Sequence, residues 1–144
     1  MNANPLLRTV LSVLGRTPLP DEFPELRVAL QYETAELTFP SLVVSCSLTR
    51  VSTLPHNFTA SFELAFALIV PAADYSSEEH ARLIEATDVL LFEKIKTSRL
   101  AEAALLAQEK CRIYTVDWAE TSEQSADSSG CYTLTRTFRG AVQL

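Results

Sequence analysis

Histidines, cysteines and paired carboxylates are the side chains of this sequence that could bind a metal or catalyse a reaction. Their spacing argues against both. His56 sits in a turn beside Pro55, and His80 lies in the first turns of a segment with helical periodicity. A helical metal site needs a second ligand three or four residues away, and His80 has at that spacing only serines, which are poor ligands, and apolar residues. We therefore interpret both histidines as structural residues and predict no metal site.

The cysteines and carboxylates show no catalytic arrangement either. Cys46, Cys111 and Cys131 form no CxxC pair and are odd in number, which predicts reduced thiols and neither a disulfide framework nor a zinc site. A serine or cysteine nucleophile needs a nearby base, and the sequence has no glycine-flanked serine elbow. Three glycines in the chain argue against a glycine-rich phosphate loop. Neighbouring carboxylates such as Glu78 and Glu79 fall on polar surfaces, so we predict no enzyme and no cofactor.

The composition bounds the class of protein. The chain has 144 residues, 47% of them hydrophobic, and a formal net charge of -6. This length supports one domain spanning residues 1–144, and the negative charge disfavours specific binding to nucleic acid. The longest apolar stretch, Leu64 to Ala73, is interrupted by Pro71 and is far shorter than the about 20 residues that cross a bilayer. The N-terminus lacks the pattern of a signal peptide, so we expect a cytoplasmic protein without membrane contact.

The N-terminal segment, residues 1–15, predicts an amphipathic helix. Asn4 followed by Pro5 is a favourable helix start, and Gly15 supplies a stop. Between them, apolar residues recur at three- and four-residue spacing: Leu6, Leu7, Val10, Leu11 and Leu14. Residues 16–25 contain three prolines, whose fixed φ and missing N–H groups favour an extended connector.

Two-residue alternation after the connector predicts strands. Residues 26–48 give two or three of them, and the clearest strand runs from Phe58 to Val70 with one continuously apolar face. Its opposite face also turns apolar at Ala65, Ala67 and Ile69. Because apolar residues on both faces indicate cover on both sides, we predict these three residues as contacts to a neighbouring subunit.

A capping box marks the start of a long central helix. Ser76 and Glu79 have the spacing at which each side chain satisfies the other residue's exposed backbone N–H group. Apolar residues then line one face of the following segment. A second helical piece, Ser98 to Lys110, is rich in alanine and leucine and should pack in the same layer.

Two β-rich segments close the chain, Arg112 to Trp118 and Cys131 to Arg139. We predict a hairpin whose connection, residues 119–130, is a flexible polar loop, because this stretch has no large apolar residue. In the last strand, threonines alternate with larger side chains, a row that suits an exposed sheet face or a docking surface. The candidate contact residues of this region are Glu120, Glu123, Asp127, Thr133, Thr135 and Thr137.

The order of these elements resembles that of small phage tail-completion and tail-terminator subunits, which join head and tail. The resembling parts are residues 6–14, the run Leu37-Thr38-Phe39-Pro40 leading into residues 42–44, the strand 62–70 followed by Asp74 and the capped helix, and residues 131–138. The resemblance covers nearly the whole chain as a pattern and carries over no individual functional residue. It implies an α+β subunit that forms rings, commonly hexamers, and closes the tail tube without cofactor or catalysis.

We therefore predict an α+β fold: a mainly antiparallel or mixed β-sheet with the N-terminal helix and the long central helix packed on one face. The first functional hypothesis is a structural subunit that self-associates into a homo-oligomeric ring and contacts other tail or connector proteins. Two alternatives stay open. One is a small-ligand-binding or enzymatic domain with a pocket between helices and sheet, using Asp74, His80 or Cys46, and the other is an adaptor for a host or secretion complex.

Overall fold

The computed structural model describes residues 4–30, 40–50, 59–124 and 130–144. Within these ranges the elements are, in chain order, α1 (Pro5–Leu14), β1 (Arg27–Leu30), β2 (Ser41–Arg50), β3 (Thr59–Pro71), α2 (Ser77–Lys94), α3 (Thr97–Leu106), β4 (Arg112–Gln124) and β5 (Cys131–Gln143). This confirms the predicted α+β fold with the N-terminal helix first. The predictions made for Leu37, Phe39, His56, Phe58 and Asp127 fall outside the described residues.

The five strands form one mixed sheet in the order β1-β2-β3-β5-β4. β1 runs parallel to β2, and the other neighbours are antiparallel. β3 lies at the centre and shows the predicted alternation: Phe62, Leu64 and Phe66 are buried, while Ala65 and Ala67 on the opposite face are half-buried. Side chains two residues apart share a face of a strand, so the sequence pattern fixes which face of the sheet meets the core.

All three helices lie on the same face of the sheet. The side chain of Asn4, at the start of α1, hydrogen-bonds the thiol of Cys46 on β2. From α2, the carboxylate of Asp88 accepts two hydrogen bonds from Arg136 on β5. α3 packs between α1 and β4. Cys46 and Arg136 both belong to the face of β2 and β5 that carries the buried residues of β3, because they pair in register with Leu64 and Phe66.

The predicted helix ends are present. The Oδ1 atom of Asn4 accepts a hydrogen bond of 2.8 Å from the N–H of the third helical residue, and Pro5 occupies the first helical position. Gly15 follows α1 with a φ of 75°, a conformation that glycine adopts without strain. At the start of α2, Ser76 and Glu79 exchange both hydrogen bonds of a capping box, each 3.2 Å long. Local sequence signals therefore fix where these helices begin.

Aliphatic and aromatic side chains fill the space between the helices and the sheet. Phe66 of β3 meets Phe138 of β5 edge to face, with ring centroids 5.6 Å apart. Both rings are almost completely buried. The largest fully buried side chains besides Phe66 are Leu6, Leu26, Leu42, Leu64, Leu68, Leu83, Leu91 and Leu100. Burial of these side chains therefore holds the helices on the sheet, as expected for helices on one face of a sheet.

The predicted loop at residues 119–130 is wrong in its first half. Residues 119–124 continue β4, and they pair with β5 in the ladder that ends at Gln124 opposite Thr133. A polar sequence is compatible with a strand at this position because β4 is an edge strand, where Glu120, Thr121 and Ser122 are exposed to solvent. The polar composition that indicated a loop is therefore that of a solvated edge.

Candidate interaction surface

The face of the sheet that turns away from the helices, which we call the open face, carries small side chains. Ala67 on β3 pairs in register with Val43 on β2 and with Thr135 on β5, and Thr135 pairs with Ser122 on β4. One row of four small residues therefore crosses the four strands β2 to β5. We call the half of the open face that contains this row the uncharged half, and its residues are Ser41, Val43, Ser45, Ala65, Ala67, Ile69, Ser122, Thr133, Thr135 and Thr137.

Within the described part of the chain, no helix covers the uncharged half. Ala65, Ala67 and Ile69 are half-buried, whereas the residues of β3 on the helix side are almost fully buried. Thr137 is the exception among the threonines, since only 6% of it is exposed. The sheet thus presents a shallow surface of methyl and hydroxyl groups on its central strands.

An ion-pair cluster borders the uncharged half. The guanidinium of Arg139 lies 3.0 Å from the carboxylate of Glu63 and 3.2 Å from that of Glu120. The hydrogen bond to Glu63 is the main reason that the pKa of Arg139 is raised. All three side chains are exposed or nearly so, so the cluster adds little to folding stability. It does place two acidic groups and one basic group across three neighbouring strands of the open face.

Most of the contact residues predicted from the sequence come together on this face. Ala65, Ala67, Ile69, Thr133, Thr135 and Thr137 all belong to the uncharged half, and Glu120 stands at its border. Glu123 pairs in register with Leu134, which is not a residue of the uncharged half. Asp127 is outside the described residues. The register of β3 with β5 brings the predicted residues of β3 beside the predicted threonines of β5. The sequence alone does not specify this register.

Three residues of β2 belong to the surface and were missed by the sequence analysis. Ser41, Val43 and Ser45 lie on the open face beside β3. Their position could have been found from the alternation with Leu42 and Val44, both of which are buried.

A second exposed surface lies on the helix side of the sheet and was also missed. The ring of Phe92 on α2 stacks on that of Trp118 on β4, with centroids 4.7 Å apart and an interplanar angle of 15°. Phe92 is 52% exposed, Trp118 37%, and Val89, one turn earlier on α2, 60%. We call these three residues the aromatic patch. The guanidinium of Arg136 lies 5.5 Å from the Trp118 ring centroid, close enough for a cation–π interaction.

The residues of the ligand-binding alternative do not converge. His80 packs edge to face on Tyr132, with centroids 4.4 Å apart, beside a cleft of about 160 Å³. Tyr75 lines the same cleft and donates a hydrogen bond of 2.7 Å to Glu25. Asp74 is exposed in the turn before α2 and does not line the cleft. In the described ranges, no three His, Cys, Asp or Glu side chains are grouped in a way that could hold a metal ion.

Cys46 lies far from this cleft. It pairs with Leu64 on β3, six residues before Val70, which lines the cleft, and six strand residues span about 20 Å. Burial raises the pKa of the Cys46 thiol. A raised pKa keeps the group as a thiol, which is a poor nucleophile. The three cysteines of the chain, all within the described ranges, are unpaired.

Comparison with known proteins finds likenesses among solved structures. No known family model and no characterised protein matches the chain in sequence. Among solved structures, a chain described as "Virion of native gene transfer agent (GTA) particle" is similar, with a TM-score of 0.47 and 10% sequence identity over 96% of this chain and 92% of that chain. A likeness at this level does not assign a function. No helix in the described ranges is both long and apolar enough to cross a membrane.

Proposed function

We propose that this chain is a non-enzymatic structural subunit that assembles with copies of itself into a ring, with the open face as a contact surface. The observation that supports the proposal is the uncharged half: Ala65, Ala67 and Ile69 lie on the central strand and no described helix covers them. In an antiparallel sheet with one solvated face, the strands usually alternate apolar residues on the core face with polar residues on the solvated face. An apolar stripe at the centre of such a face is typical of a surface that another protein covers.

The size of the open face suits a stable contact. Its four long strands lie about 4.8 Å apart and extend about 3.3 Å per residue over 10 to 13 residues, which gives roughly 600 to 800 Å². A standard protein–protein interface buries about 800 Å² on each partner. The open face is therefore large enough to serve as one side of such an interface.

The element order supports assigning the proposed assembly to a phage or phage-like tail, in tail completion, tail termination or head–tail joining. A hexamer is the expected ring, and other tail or connector proteins are the further partners. In this proposal residues 1–144 act as one domain, which is cytoplasmic during assembly and then part of the virion tail. The proposal needs no catalytic residue, because the subunit would act by binding other subunits through its buried contact area.

A charged side chain in the uncharged half tests the contact. Thr135 is at the centre of the uncharged half, and Thr135→Arg would place an unpaired guanidinium in the interface, which is costly when desolvated. Leu105→Arg is the control, since Leu105 is 78% exposed on α3 and lies away from the open face. We expect Thr135→Arg to reduce the solution mass to that of the monomer and Leu105→Arg to leave it unchanged. Equal masses for Thr135→Arg and the unmodified chain would contradict the proposal.

The tail assignment has its own test. Particles produced without this chain should carry open or missing tails when viewed by electron microscopy, and expression of the unmodified chain should restore them. Normal tailed particles in its absence would refute the tail assignment while leaving the assembly contact standing.

A further inference from the structure

We infer that the aromatic patch of one copy packs on the uncharged half of the open face of the next copy, so that the subunits associate head to tail. The inference rests on the proposed function and specifies the partner surface of the open face. The patch consists of Val89 and Phe92 on α2 and Trp118 on β4. It lies on the helix side of the sheet, opposite the open face.

The aromatic patch contains a tryptophan, a residue type that is enriched among those that dominate binding energy. Trp118 contacts both the ring of Phe92 and the guanidinium of Arg136. The paired carboxylate of Asp88, with both contacts at 2.8 Å, holds that guanidinium in place. The patch is therefore preorganised, because its rings are fixed by stacking and by an ion pair before any partner arrives.

Charge argues against contact of the open face with itself. Glu63, Arg139 and Glu120 cross β3, β5 and β4 near the middle of the open face. A two-fold symmetric contact over the whole open face would have its axis near this cluster and would set the cluster against its own copy. Each cluster carries two negative charges and one positive charge. Like charges brought together across an interface are unfavourable. A different surface of the second copy avoids this repulsion.

The two surfaces differ in the size of their exposed side chains. The uncharged half is lined by Ala67, Thr135 and other small side chains, so it is shallow and can accept protruding rings. The aromatic patch provides such rings, with more than half of Phe92 exposed. Burying both surfaces together removes apolar area from water on each partner, which is the main driving force for association.

A contact between two different surfaces has a consequence for assembly. Each copy retains one free surface of each kind after the first contact, so the same contact repeats and closes into a ring when the rotation between copies allows it. A symmetric contact would stop at the dimer. The pairing of the aromatic patch with the uncharged half therefore provides the kind of interface that the proposed ring requires.

Mixing two variants, each defective in one surface, tests the pairing. Val89→Arg disrupts the aromatic patch and is compatible with α2, because Val89 is 60% exposed and the new charge would lie one turn from Glu85 and Glu93. Thr135→Arg disrupts the uncharged half. Leu105→Arg is the matched control for an apolar-to-arginine change on a helix, since Leu105 is 78% exposed on α3 and outside both surfaces. Far-ultraviolet circular dichroism checks that every variant is folded.

We expect Val89→Arg and Thr135→Arg each to be monomeric, and their equimolar mixture to show the mass of two chains by native mass spectrometry. In that dimer, the intact open face of one variant binds the intact patch of the other, and the two defective surfaces prevent further growth. Leu105→Arg should assemble like the unmodified chain.

Two results would overturn the pairing while the unmodified chain still assembles: assembly of Val89→Arg alone, or a mixture that stays monomeric. A monomeric unmodified chain would instead overturn the proposed function itself, and the pairing with it.

Discussion

Removing the carboxylate of Asp88 should destabilise the fold by about 2 kcal/mol, because it removes the anionic group that faces a partly buried guanidinium. Asp88 and Arg136 form a two-pronged ion pair with both distances at 2.8 Å. Arg136 stands between Leu134 and Phe138 on the helix side of β5, where both neighbours are buried. In Asp88→Ala, the guanidinium would stay in this largely apolar setting without its carboxylate.

The magnitude follows from the exposure of the pair. Breaking a fully buried ion pair costs about 3 to 5 kcal/mol, and an exposed pair contributes at most about 1 kcal/mol. The side chains of Arg136 and Asp88 are 13% and 27% exposed, so the pair lies between these limits. A loss of about 2 kcal/mol corresponds to a fall in Tm of roughly 8 °C for a chain of this length.

Urea unfolding followed by circular dichroism measures the effect, with Arg136→Met and the double variant completing a double-mutant cycle. We expect a coupling energy of about 1.5 kcal/mol between the two residues. Glu109→Ala is the matched control, since Glu109 receives the same two-pronged contact from Arg8, which is 45% exposed. Its loss of stability should be smaller. If the effects of the two single substitutions add to within about 0.5 kcal/mol, the two residues are not coupled and the reasoning is refuted.

Two further predictions concern the fold. Gly140→Ala should destabilise the protein by about 1 to 3 kcal/mol in urea unfolding. A Cβ atom at this position would overlap the carbonyl oxygen of Thr115 and approach the ring of Phe62 to 2.6 Å. An unchanged midpoint of urea unfolding would be inconsistent with this packing. The pKa of Tyr75 is raised from 10.0, first by burial and then by its hydrogen bond to Glu25. The contribution of Tyr75 to folding stability is therefore complete below pH 10. It falls as the pH rises above 10, where the unfolded chain loses the phenol proton and the folded chain keeps it. Tyr75→Phe should therefore lose less stability than the unmodified chain above pH 10, and parallel losses would contradict the assignment.

Strong local signals in the sequence predicted most of the elements correctly. The alternation along β3 gave the buried face, and the Ser76 and Glu79 spacing gave the start of α2. Both signals act over a few residues, so they depend little on contacts between distant parts of the chain. The same reasoning failed at residues 119–124, because the polar side chains of a solvated edge strand resemble those of a loop.

The candidate surfaces could be predicted only in part. Ala67 and Thr135 were both singled out, but their pairing depends on the register between β3 and β5, which lie far apart in the sequence with α2, α3 and β4 between them. The aromatic patch depends on a contact between Phe92 and Trp118, which belong to different elements. Such contacts are set by helix packing on the sheet and leave no periodic pattern in the sequence.

The solution mass of the unmodified chain tests the proposed function most directly. Sedimentation velocity over a dilution series should show one discrete multiple of the 15.9 kDa chain, six copies being the expected number, with dissociation at low concentration. A mass of 15.9 kDa at every concentration would contradict the proposal that the open face is covered by a second copy.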